Sequence, residues 1–147
     1  MEKETIGRID RVDFPEFGLF ELDAKIDTGA NFSVIHCHHV QKIEKDGKEL
    51  LQFTLLDPSH PNYNEQVFFA HHFGLKTIKN SFGQTEERFV IFTPIILFGE
   101  SIETEFTFTD RGNLKYPVLL GRKLLKKRFI VDVARTNLSY KQKQKEN

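Results

Sequence analysis

Asp27-Thr28-Gly29-Ala30 is the stretch of this chain whose residue types and order most directly imply chemistry. It follows Glu21 to Ile26, which alternates polar and apolar as a half-buried strand does. An acid at the end of such a strand, followed by a small hydroxyl residue and a glycine, puts a carboxylate on a tight turn at a sheet edge. A carboxylate so placed can act as a general acid or base. Two of them about 3 Å apart cannot both ionise, so they share a proton and titrate as a pair. The motif occurs once in the chain, so a pair requires a second copy.

Other clusters suggest different chemistry. His36-Cys37-His38-His39 and His71-His72 gather potential metal ligands, and on a strand His36 and His38 would share a face. No His-Glu-x-x-His helix, pair of Cys-x-x-Cys knuckles or Gly-x-x-x-x-Gly-Lys-Ser/Thr loop accompanies them. The plainer reading is a polar strand end, with no metal and no cofactor. Ser33 near these histidines could be a nucleophile, but nothing resembling an oxyanion or orienting motif attends it. Cys37 reads as an inert small side chain.

The elements that must position Asp27 are mostly strands. Ile6–Phe14 and Leu19–Ile26 read as the first two, with Pro15-Glu16-Phe17-Gly18 between them. Phe32–His36 resumes extended structure. Asp46-Gly47 is a hairpin turn between Val40–Glu44 and Leu50–Leu56. Asp57–Asn64 is a loop, and Val67–Ala70 is extended. Leu75–Asn80 and Glu87–Phe92 form a second hairpin around Ser81-Phe82-Gly83-Gln84. In Ile102–Thr109, Ile102, Thr104, Phe106 and Phe108 share one face. Pro117–Leu120 is a strand buried on both faces, Arg122–Lys127 the one helical segment, and Phe129–Val133 the last strand. The sum is an all-β chain, a barrel or sandwich.

At 147 residues the chain suits one domain spanning 1–147. Its core is expected over about residues 7–133, with the basic tail 141–147 frayed. Twenty-one basic residues balance 21 acidic ones, which leaves no electrostatic footprint for nucleic acid. There is no apolar run long enough for a membrane span and no signal-like segment, so a cytoplasmic protein is expected. The single cysteine excludes an intramolecular disulfide. Fifteen phenylalanines with no tryptophan read as core packing.

Taken in order, Ala24-Lys25-Ile26-Asp27-Thr28-Gly29-Ala30, Ser33, the region from Ser81-x-Gly83 to Glu87-Arg88-x-Val90-Ile91, Thr109-Asp110-Arg111, Pro117-Val118-Leu119-Leu120-Gly121-Arg122 and Phe129–Val133 resemble the retropepsin-like aspartic proteases. They are most similar to a bacterial group labelled "ATP-dependent zinc protease", and neither half of that label finds a motif here. The resemblance runs from about Gly7 to Val133. It implies a closed retropepsin-like barrel with one short helix near the C-terminus. It also implies a homodimer in which each copy supplies one Asp27 to a peptide-cleaving dyad.

By the same resemblance, Asp27, Thr28 and Gly29 are catalytic, with the Thr28 hydroxyl bonding across the dimer axis. Ala30, Asn31, Ser81, Phe82 and Gly83 would bind an extended peptide or protein substrate, the last three as a flap. Leu120, Gly121 and Arg122 support the loop from below. Asn31 stands where viral retropepsins place an acid that pairs with the arginine. Arg122 therefore lacks a charged partner, and Asp132 and Asp110 are the candidates to replace it. Relatives in the wider bacterial group are associated with ATP-grasp amino-acid ligases, which implies a link to ligase-modified protein tails. Two other readings stand beside this one: a dimer of the same fold that clasps a peptide without cutting it, and a zinc-dependent hydrolase.

Overall fold

Alternation in the sequence becomes pleat in β3 (Leu19–Ile26), where Leu22, Ala24 and Ile26 are buried while Asp23 and Lys25 face water. The protein is seen here in a computed structural model that describes residues 2–79, 82–110 and 115–146. Among these, nine strands form one sheet and two more form a small parallel pair, so the chain is all-β as expected. β1 (Glu4–Ile6) and β11 (Phe129–Val131) are that pair. The expected first strand is divided: β2 (Ile9–Phe14) begins after a break at Gly7-Arg8. The break has a packing cause. A Cβ on Gly7 would lie 2.2 Å from the Arg135 carbonyl oxygen, and that oxygen accepts the Arg8 N–H.

β2 pairs antiparallel with β3, and β4 (Ser33–Lys45) runs unbroken where two shorter strands were expected. β4 turns at Asp46-Gly47 into β5 (Lys48–Leu55). Both turn residues have positive φ, 54° and 75°, the conformation a two-residue hairpin needs and the Asp-Gly pair favours. β6 (Val67–Ala70) adds to β5. β7 (Gly74–Lys79) and β8 (Thr85–Leu97) form the expected second hairpin, and β8 turns back into β9 (Glu100–Thr109). β10 (Val118–Leu120) is bonded on both sides, parallel to β3 and antiparallel to β4. The pairing path from β10 through β3, β2, β8, β9 and β4 thus returns to β10.

The phenylalanines divide by role. Phe14 and Phe106 meet at 5.2 Å between ring centroids, and Phe53 packs on Phe108 at 4.8 Å; all four are buried. Phe20, Phe82 and Phe92 are more than half exposed, so core packing does not account for every one.

Among the described residues the single expected helix becomes two α-helices. α1 (Arg122–Leu125) buries Leu124 and Leu125 where it was anticipated. α2 (Leu138–Glu146) occupies the segment expected to fray. Its anchor is a distant carboxylate. Asp10 on β2 accepts the N–H groups of Ser139 at 2.9 Å and Tyr140 at 3.2 Å, satisfying helix N-terminal donors that have no partner inside the helix. The Ser139 hydroxyl accepts the Phe98 N–H, Lys143 reaches Asp13 and Glu21, and Arg11 lies over the Tyr140 ring. Local sequence shows none of these contacts, which is why the tail reads as a solvated basic run.

Candidate active site

The loop after β3 is built from below. Asp27 donates its backbone N–H to the Leu120 carbonyl of β10 at 2.9 Å, so the aspartate is fixed where the strand ends. Ala30 N–H closes back on the Asp27 carbonyl at 3.2 Å, which makes the turn. The next two carbonyls meet α1: Arg122 N–H donates to Ala30 at 2.8 Å and Lys123 N–H to Asn31 at 3.0 Å. These are first-turn amides of a helix whose N-cap, Gly121, makes no side-chain cap, so the loop itself caps the helix.

Gly121 is required for this approach. A Cβ there would sit 2.5 Å from the Phe32 carbonyl oxygen and 2.9 Å from that of Ala30, both backbone atoms that cannot swing aside. Its N–H donates to the Ser33 hydroxyl at 3.1 Å. Ser33 is buried, so its oxygen is a bracket between β4 and the helix start rather than a nucleophile. Arg122 finds the partner that the sequence left open. Its Nη1 donates to the Thr28 carbonyl at 2.9 Å, so it grips loop backbone where Asp132 or Asp110 had been the candidates.

What this leaves uppermost is the Asp27 carboxylate. The residue is half-buried, while Thr28, Gly29 and Asn31 beside it are exposed. Asp27 Oδ1 accepts the Gly29 N–H at 3.0 Å. A Cβ on Gly29 would approach that same oxygen to 3.3 Å, so glycine leaves the carboxylate the most room. Leu120, Gly121 and Arg122 thus come together with Asp27, Thr28, Ala30 and Asn31 through the bonds above. Phe82 and Gly83 lie at the tip of the β7–β8 hairpin, with Phe82 87% exposed and Gly83 at φ 81°. Ser81, also expected at the tip, is outside the described residues.

Lys76, Glu105 and Phe32 went unnoticed in the sequence. Glu105 on β9 holds Lys76 of the hairpin at 2.8 Å and Lys123 of α1 at 3.2 Å. Both ammonium groups lie over the ring of Phe32, at 4.7 and 4.4 Å from its centroid. The one available signal was an acid on the polar face of a strand whose opposite face is apolar, and that pattern describes most strands.

The histidines separate. His36 is buried, its Nε2 3.9 Å from Asp57 and its Nδ1 without a hydrogen-bond partner among the described residues; burial holds its pKa below the usual histidine range. His38 packs against His39 with the rings tilted by 51° and meets the edge of Tyr63. Among the described residues no three His, Cys, Asp or Glu side chains converge as a ligand set. Cys37 is fully buried, and that burial pushes its thiol up to about 12. No helix among the described residues is long and apolar enough to cross a membrane.

Comparison with known proteins bears on the fold and the family. The fold matches the crystal structure of a protein of unknown function from Legionella pneumophila, with a TM-score of 0.73 and 24% identity over 94% of this chain and 99% of that one. Proteins named "Probable alpha-L-glutamate ligase" are similar in sequence. The one from Desulfotalea psychrophila is 32% identical over 142 residues, and that from Shewanella pealeana 31% over 134, or 90% and 88% of this chain. The chain spans 28% of the length of each. A family model described as "Retropepsin-like aspartic endopeptidase RimB" matches residues 5–142, and the chain therefore belongs to the RimB-like family.

Proposed function

We propose that this chain is one half of an aspartic endopeptidase, a homodimer in which the two Asp27 carboxylates meet and share a proton. The observation that carries this reading is how the loop is held. Every bond that fixes residues 27–31 to β10 and α1 runs through backbone or through Arg122, and none uses the Asp27 carboxylate. The acid is therefore presented rather than consumed. The family to which the chain belongs and the return of the strand pairing to β10 support a closed retropepsin-like barrel around it.

In the dyad, the ionised carboxylate takes a proton from an attacking water while the protonated one polarises the scissile carbonyl. The Gly29 amide, already bonded to Asp27 Oδ1, orients the carboxylate. Thr28 is exposed beside it, and its hydroxyl bonds the partner loop across the axis. The substrate lies extended between this loop and the β7–β8 hairpin, paired by backbone hydrogen bonds, with Ala30, Asn31, Phe82 and Gly83 along its course. The sequence relatives are named as glutamate ligases, so the substrate class we infer is a glutamate-bearing peptide or protein tail made by such a ligase.

The test is cleavage of a glutamate-rich peptide library by the wild-type chain and by Asp27→Asn, with oligomeric state measured in parallel by light scattering. The expected result is Asp27-dependent, chelator-insensitive cleavage with an acidic bell-shaped pH profile and an unchanged dimer. Undiminished cleavage by Asp27→Asn, or a strictly monomeric active protein, would end the reading.

A further inference from the structure

Three segments that bound the candidate cleft converge on one aromatic ring. Phe32 follows Asn31 directly, at the end of the Asp27 loop. Lys76 comes from the hairpin strand β7, and Lys123 from α1, two residues beyond Gly121. Both ammonium groups lie over the ring, where the negative face of the π-system attracts them. Both also bond to the single carboxylate of Glu105, whose side chain is only 12% exposed. The cluster therefore carries two positive charges against one negative. Glu105 spends its charge inward, and the two ammonium groups hold its pKa low although burial opposes this.

The surplus charge is accessible. The side chains of Lys76 and Lys123 are 35% and 46% exposed, and an ammonium has three donors. Lys123 and Glu105 line a groove of about 700 Å³ whose other lining residues include Phe92, Glu103, Lys127 and Arg128. The ring and its cations belong to the hairpin, the loop and the helix beneath them, and the first two of these are the segments between which the proposed substrate lies. Glu105 fixes the two cations in advance, so little side-chain freedom is lost when a third party binds them.

We propose that Lys76 and Lys123, set at the Phe32 ring by Glu105, form a subsite that reads a carboxylate side chain of the bound substrate. This rests on the cleft placement proposed above, and its test is kept independent of catalysis. Affinities of the cleavage-disabled Asp27→Asn protein for fluorescein-labelled hexaglutamate and hexaglutamine are measured by anisotropy. Hexaglutamate is expected to bind at least about tenfold more tightly, the range of one charge-assisted contact. In the triple variant Lys76→Met/Lys123→Met/Glu105→Gln, which leaves no buried charge unpaired, the ratio is expected to fall to within about twofold while hexaglutamine affinity holds.

Lys45→Met, on the distant β4–β5 hairpin, should leave the ratio untouched. A ratio retained in the triple variant, or equal affinities in the parent, would overturn the subsite. Failure of the peptidase reading shows separately, as cleavage that ignores Asp27.

Discussion

Two aspartates, one within the sheet and one just past its edge, are held in opposite ways. Asp10 on β2 is 1% exposed, and both of its oxygens are occupied: Oδ1 by the Arg11 and Tyr140 amides, Oδ2 by that of Ser139. Asp27, just past β3, is half-buried on an exposed loop and accepts one amide, from Gly29, on one oxygen. A carboxylate whose lone pairs are taken by a helix N-terminus is a structural part. One whose loop is gripped by its backbone keeps most of its lone pairs unoccupied. The difference lies not in the acid but in what holds the chain around it.

The sharpest way to break this comparison is to neutralise each acid in turn. Asp27→Asn should reduce peptide cleavage by at least about 10³-fold, the scale expected when a positioned acid or base is lost. Its stability in urea should stay within about 0.5 kcal/mol of wild type, as for a surface change that breaks no packing. A large stability loss in Asp27→Asn would place the residue with Asp10 as a structural acid.

Gly121→Ala tests the grip itself. The new methyl would meet the Phe32 and Ala30 carbonyls at 2.5 and 2.9 Å, so loop and helix must separate. We expect about 3 kcal/mol of destabilisation, at the upper end of overpacking, together with loss of cleavage. Wild-type stability in this variant would mean that the loop has freedom the structure does not show.

These two sites differed in how far the sequence revealed them. Asp27 and Gly121 were legible because each sits in a short run of fixed order, and the alternation of β3 placed the acid at a strand end. The turn at Asp46-Gly47 was legible for the same reason, since positive φ at both positions selects those residue types. Arg122 was legible as a support but not in its contact, because a carbonyl partner leaves no mark on residue type. Asp10 was invisible. It is a polar residue in a strand flanked by polar and apolar neighbours, and its partners on α2 lie well over a hundred positions away. For the same reason α2 read as a frayed tail.

Asp10→Ala should therefore cost about 2 kcal/mol, because it strands helix N-terminal amides in a buried site. The loss should appear as early exchange of the Ser139 and Tyr140 amides, with cleavage retained by the molecules that stay folded. Equal protection of those amides in the variant would show that α2 is held by Lys143 and Arg11 instead.

The smallest effect sharpens the contrast most, because it depends on the sign of a titration. Burial raises the Asp10 carboxyl above its ordinary 3.8, and the Ser139, Arg11 and Tyr140 amides and the Arg11 charge only partly offset this. The other charges on α2 near this strand are engaged elsewhere, Lys143 with Asp13 and Glu21. A folded pKa above the unfolded one means that the native state binds more protons between the two values, so stability falls as pH rises through that interval. The contribution is fully present below 3.8 and lost once pH passes the folded value. Urea unfolding of wild type and Asp10→Asn across the acidic range isolates it, because every other carboxylate cancels in the difference. The wild-type advantage should shrink as pH rises above 3.8 and level off once the folded value is passed. A difference that grew with pH would mean that the helix amides outweigh burial, and that Asp10 holds α2 by its charge rather than in spite of it.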